Sequence, residues 1–253
     1  MKKLNGCIAM ISSRTKCIEL CLKSLHEKFN HKHEYPVYVH YFDDIYSDEN
    51  FSKHIKETIH PDITFIKVDY EIPSHIPEKE LYYNRKDLWY VRQSFPPARL
   101  GYLHMCHFVS NMYNYPNTKI HNHDYMMMID DESLFTSDLP YDPIEIIAGQ
   151  EKPFGALRVY DQTKRAPHQG NFDTRVNLWN FIKDYLNKNS ITPKSNFLVN
   201  LLEDPESDVN FHLYPIADSY VLKLNLFNTP EWNHWIKAVN EYGGIYKYRW
   251  GDN

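Results

Sequence analysis

The sequence predicts an α/β fold built on a mostly parallel central sheet flanked by helices. Short apolar runs of strand length alternate with stretches whose apolar residues recur every three or four positions, the pattern of parallel strands joined by right-handed crossovers. One run, Tyr125–Ile129, is apolar throughout and bounded by polar residues on both sides, as a strand buried on both faces should be. With 253 residues, 42% of them hydrophobic, the chain can bury a substantial core.

Cys7–Ile11 is the first strand. Ser12, Ser13 and Thr15 then offer N-cap hydroxyls to a helix whose buried face is Ile18, Cys21, Leu22, Leu25 and Phe29. Tyr35-Pro36 breaks the chain, Val37–Tyr41 forms a second strand and Ile63–Val68 a third. Lys79 to Pro97 lacks a period and is expected to be loop. Pro97 suits a helix start, and Tyr102, Met105, Val109 and Met112 follow at helical spacing. Phe154–Val159 is a further strand. Val176, Trp179, Ile182 and Leu186 mark a helix that ends across Asn187 to Pro193. Val221–Leu226 is read as the last strand. A final helix is capped by Asn228 or Thr229, opens at Pro230, carries Trp232, Trp235, Ile236 and Val239, and stops at Gly243-Gly244. No repeat, low-complexity tract or linker appears, so one domain over residues 1–253 is expected.

The net charge is −5 and no lysine/arginine block tracks along the chain, so nucleic acid is not an expected partner. No stretch reaches the length of a membrane span, and no signal-type apolar segment follows Met1. The four cysteines form no CxxC pair and read as reduced, buried thiols. A cytoplasmic or otherwise soluble protein is therefore expected, or a lumenal domain trimmed from an anchor. P-loop, G-x-G-x-x-G and G-x-S-x-G motifs are absent, which removes the usual sequence support for ATPases, dinucleotide oxidoreductases and serine hydrolases. His104 with His107 and His121 with His123 lack a third ligand at zinc spacing.

The chemistry concentrates in Met126-Met127-Met128-Ile129-Asp130-Asp131-Glu132. A buried strand delivers three acids at its C-terminal end, where open α/β sheets bind ligands. Asp130 and Glu132, one residue apart, can hold Mn²⁺ or Mg²⁺ against a diphosphate, because hard cations take oxygen ligands and neutralise a phosphate leaving group. A strand end closed by solvated acids is the plainer alternative. Ser12 and Arg14, just past the first strand, join Asp130 and Asp131 as candidate contacts to a nucleotide-diphosphate sugar.

Several blocks resemble the fungal α-1,2-mannosyltransferases of glycosyltransferase family 15. Tyr102-Leu103-His104-Met105-Cys106-His107-Phe108, Asp130-Asp131-Glu132 and Tyr141-Asp142-Pro143 are similar to that family's Y-R-H-M-C-R-F, E-P-D and Y-D-P-F, in the same order. Glu27-Lys28-Phe29-Asn30 with Tyr35-Pro36 resembles E-x-R-F-N and Y-P. Gly243 to Asp252 is similar to G-G-F-x-x-E-R-W-G-D.

The resemblance implies a GT-A fold and a retaining transferase using GDP-mannose and Mn²⁺, with a glycan or glycoconjugate acceptor. It gives Asp130 and Glu132 the ribose and metal contacts. It puts Tyr102, His104, Arg249, Trp250 and Asp252 on the acceptor side. Where the family has a proposed glutamate nucleophile this chain has Tyr220, with Asp218 two residues earlier, and Asp161 stands near another family acid. Either Asp218 takes the nucleophile's place, or displacement occurs on one face without a nucleophile, or the site no longer transfers. The family pattern runs on past R-W-G-D to a histidine of the metal shell, for which another histidine or water would substitute. A non-transferring sugar-nucleotide or glycan-binding module, and a two-metal hydrolase using Asp130, Asp131 and Glu132, are the competing readings.

Overall fold

A computed structural model describes residues 4–12, 15–42, 46, 49–85, 100–115, 117–161, 177–193 and 213–250, and of 157–161 and 213–218 the backbone alone. The chain forms two compact units. One comprises Met1–Tyr70, Met112–Leu157 and Ala217–Thr229, the other Glu71–Asn111, Arg158–Ile216 and Pro230–Asn253.

The six strands are β1 (Gly6–Ile11), β2 (Val37–Tyr41), β3 (Ile63–Lys67), β4 (Tyr125–Ile129), β5 (Phe154–Asp161) and β6 (Leu213–Lys223). Their spatial order is β3-β2-β1-β4-β6-β5. β1 pairs in parallel with β2 and β4, β2 pairs in parallel with β3, and β6 runs antiparallel to β4. The central strand β1 is buried along nearly its whole length, which explains why its sequence is an unbroken apolar run.

In the first unit, α1 (Thr15–Leu25) follows β1. Ile18, Cys21, Leu22 and Leu25 of α1 are buried against Ile8, Met10, Val39, Met127 and Ile129, all on one face of the sheet. The helix continues through a π-helical turn over His26–Asn30 and a last turn over His31–His33. Asn30 then clasps the returning chain, donating to the Tyr35 carbonyl at 2.8 Å and accepting from the Tyr35 amide at 2.9 Å.

α2 (Glu49–Thr58) joins β2 to β3, and α4 (Pro143–Gly149) precedes β5; neither was expected from the sequence. Asp142 caps α4 by accepting from the Ile144 amide at 2.8 Å, with Pro143 in the first turn.

In the second unit, α3 (Leu100–Asn111), α5 (Leu178–Lys188), α6 (Pro230–Tyr242) and α7 (Gly244–Tyr248) surround a core that includes Leu103, Cys106, Phe181, Val239, Ile245, Tyr246 and Trp250. The expected loop from Lys79 holds two 3₁₀ turns, Glu78–Glu80 and Tyr82–Asn84, before the chain leaves the described residues. Pro97 and Val176 also lie outside them. Gly243 stops α6 as expected, in the left-handed region at φ 74°, but the chain resumes helix at once as α7. The last strand differs more. β6 spans Leu213–Lys223, and Leu224–Asn228 is a 3₁₀ turn rather than strand.

Candidate functional site

β1 and β4 are adjacent and parallel, so their C-terminal ends emerge side by side. β1 delivers Ser12 there and β4 delivers Asp130, Asp131 and Glu132. Asp131 is turned inward and only 3% exposed, whereas Asp130 and Glu132 are exposed. The pleat accounts for this, since Met127, Ile129 and Asp131 alternate onto the face that carries α1.

Ser12 donates to Oδ2 of Asp131 at 2.6 Å, and its oxygen also lies 2.6 Å from the Tyr46 hydroxyl. The backbone amide of Ser12 bonds the His40 carbonyl at 2.9 Å, which fixes the hydroxyl at the strand end.

The acid turn is pinned from a second side by α1. The Asp130 carbonyl accepts from the Ser133 amide at 3.0 Å and from the Cys21 thiol at 3.6 Å. Ser24 accepts from the Phe135 amide at 3.2 Å, and the Lys28 carbonyl from the Leu139 amide at 3.0 Å. Burial first, then the charges of Asp131 and Asp130, push the Cys21 thiol up to about 12, so it stays protonated and donates.

Two exposed carboxylates flanking an anchored residue form a donor set of hard oxygens, which suits Mn²⁺ or Mg²⁺ rather than a thiolate- or imidazole-seeking metal. Among the described residues no cluster of three or more His, Cys, Asp and Glu could hold a metal by itself. The pair fits a cation that takes its remaining ligands from diphosphate and water oxygens.

β6 lies on the other side of β4, with Tyr220 opposite Met128 and Ser219 opposite Ile129. Asp218 directly precedes Ser219 on β6, and Asp130 directly follows Ile129, the last residue of β4. The Tyr220 ring is half-buried and packs on Phe154 at 6.0 Å. Asp161 is the last residue of β5. The side chains of Asp218 and Asp161 are not among those described, and Arg14 and Asp252 lie outside the described residues altogether.

The second unit gathers the remaining candidates. Arg249, in the left-handed region at φ 60°, stacks its guanidinium over the Tyr102 ring at 4.8 Å. His104 is bonded through Nδ1 to the Tyr246 hydroxyl at 2.9 Å, and burial lowers its pKa to about 4, so it is neutral near pH 7. Trp250 is 3% exposed and stacks on Tyr242 at 5.3 Å. His104 and Trp250 are thus enclosed by their own unit.

Tyr46 and Cys21 were not singled out from the sequence as site residues. Tyr46 sits in a polar stretch with no period, and nothing local announces its bond to Ser12. The spacing of Cys21 marks it for the core, where it is, but not for its bond to the Asp130 carbonyl.

The family model described as glycolipid 2-alpha-mannosyltransferase matches residues 1–253. O-glycoside alpha-1,2-mannosyltransferase homolog 3 of Schizosaccharomyces pombe is 23% identical over 240 residues, covering 91% of this chain and 60% of that protein. Among solved structures, core-mannan synthase A (CmsA/Ktr4) of Aspergillus fumigatus in its Mn/GDP form matches at TM-score 0.79 and 17% identity, over 99% of this chain and 68% of that one. The mannosyltransferase Ktr4p of S. cerevisiae in complex with GDP matches at TM-score 0.75 and 18% identity, over 99% of this chain and 64% of that one. The chain therefore spans about 60% of the length of the curated relative. The fold is GT-A, as the family resemblance implies.

Proposed function

The chain belongs to the glycolipid 2-alpha-mannosyltransferase family, and from that premise we propose that it transfers mannose from a nucleotide-diphosphate sugar such as GDP-mannose to a glycan hydroxyl, with retention and with Mn²⁺. The observation that carries this reading is the exposed pair Asp130 and Glu132 around the buried Asp131 at the end of β4. Those two side chains would hold the cation, and the chemistry it supplies is neutralisation of the departing diphosphate. The GDP and Mn/GDP forms of the structural relatives support the same donor.

Retention needs either a nucleophile on the far side of the anomeric carbon or departure and attack on one face. Asp218 is the residue proposed for the nucleophile, because a carboxylate attacks far better than a phenol at neutral pH and Asp218 directly precedes Ser219, the partner of Ile129 at the end of β4. Tyr220, two positions along β6, is then a neighbour that packs rather than reacts. Asp161 is kept as a candidate by position alone. On the acceptor side, Tyr102 and Arg249 are kept as candidates by position, with the buried Arg249 guanidinium lying over the Tyr102 ring.

The test is turnover of GDP-mannose in the presence of Mn²⁺, followed by release of GDP. Mannose transfer or slow donor hydrolysis that disappears in Asp130→Ala is the expected result. Turnover by that variant at the rate of the unaltered protein would contradict the assignment.

A further inference from the structure

Tyr46 has no part in the reaction described above, yet its surroundings are built around its hydroxyl. Its ring is wedged among Tyr41, Phe51 and Phe65 at centroid distances of 5.3, 5.5 and 5.4 Å. The hydroxyl emerges from that cluster 2.6 Å from Ser12 Oγ.

A serine hydroxyl carries one proton, and that of Ser12 goes to Asp131 at 2.6 Å. Tyr46 is therefore the donor to Ser12, and the order of the chain is Tyr46 to Ser12 to Asp131. All three side chains are buried. Short bonds ending on a carboxylate in a water-poor setting are stronger than neutral ones, and bonds in series polarise one another. The connection after β2, the end of β1 and the end of β4 are thereby tied together through side chains. The residue so held stands between Asp130 and Glu132.

We propose that Tyr46, acting through Ser12 and Asp131, is a positioning residue that sets the placement of Asp130 and Glu132 for a divalent cation. This rests on the role given to that carboxylate pair under Proposed function. Residues that orient metal ligands from behind change metal affinity by about 10- to 100-fold when they are lost.

The test is GDP binding by the full chain, measured by calorimetry with Mn²⁺ and again with EDTA, for the unaltered protein, Tyr46→Phe, Ser12→Ala and Ser12→Thr. Tyr46→Phe keeps the ring in its cluster and removes only the donor. Its Mn²⁺-dependent gain in GDP affinity is expected to fall about tenfold while its affinity in EDTA stays near that of the unaltered protein, and its Tm falls modestly, as the loss of one buried hydrogen bond requires. Ser12→Ala should lose that gain as well, and Ser12→Thr should keep it because the hydroxyl survives. A Tyr46→Phe variant with the full Mn²⁺-dependent gain overturns the inference and leaves the carboxylate pair untouched. Equal losses with and without Mn²⁺ overturn it too, since they mean a general structural role. If the unaltered protein binds GDP no better with Mn²⁺ than with EDTA, the role of Asp130 and Glu132 falls and the inference falls with it.

Discussion

The Tyr35 hydroxyl donates a 2.6 Å hydrogen bond to Oδ2 of Asp142, with both side chains buried. The bond joins the start of β2 to the cap of α4, and these positions belong to two of the sequence blocks, Tyr35-Pro36 and Tyr141-Asp142-Pro143. The chain between Asp130 and Asp142 is thus held at both ends, by α1 near the acids and by Tyr35 at the far end.

Replacing Tyr35 by Phe removes that donor while leaving the ring in place. Asp142 retains the Ile144 amide and His33, the latter at 3.2 Å. A loss of about 1–3 kcal/mol is expected, the cost of depriving a buried charged acceptor of one partner. Urea unfolding of Tyr35→Phe checks it, and a midpoint equal to that of the unaltered chain would contradict it.

Gly244 has no room for a side chain, because a Cβ there would run into the six-membered ring of Trp250. Gly244→Ala must displace that indole from its stack on Tyr242, so a destabilisation of about 1–3 kcal/mol is expected. A combined Gly244→Ala and Trp250→Leu variant should recover part of the loss. Denaturant midpoints of the two variants decide the point.

His40 is fully buried on β2 and donates through Nδ1 to the Met10 carbonyl at 3.2 Å. Burial lowers its pKa from 6.5 to about 4. The folded state therefore resists a proton that the unfolded chain accepts. This contribution to stability is complete above pH 6.5 and is lost as pH falls toward 4. The slope from this residue reaches at most about 1.4 kcal/mol per pH unit. Urea unfolding across that window should show stability falling with acidity, and His40→Gln should flatten the curve.

Much of the fold was legible because apolar spacing reports burial directly, as β1, β2, β4 and the face of α1 illustrate. α2 escaped notice because only Ile55 among its residues is fully buried, and so thin a stripe does not stand out. The signals for α4 were present in Asp142 and Pro143, but its seven residues are too few to display a period. β6 was placed too late because Pro215, Asp218 and Ser219 interrupt the apolar pattern a strand should show. At the site, the acids of β4 could be read from order along the chain alone. That Asp131 turns inward to Ser12 while its neighbours face outward depends on β1 lying beside β4, and Tyr46 enters through a contact across 34 positions.

The central claim is that Asp130 and Glu132 hold a divalent cation against the diphosphate of a sugar nucleotide. Calorimetric titration of GDP into the full chain, with Mn²⁺ and with EDTA, for the unaltered protein and for Glu132→Ala, tests it most directly. Tighter binding with Mn²⁺ that disappears in Glu132→Ala is the result predicted. Equal affinity under both conditions in the unaltered protein, or a Mn²⁺ effect that survives the loss of Glu132, would contradict it.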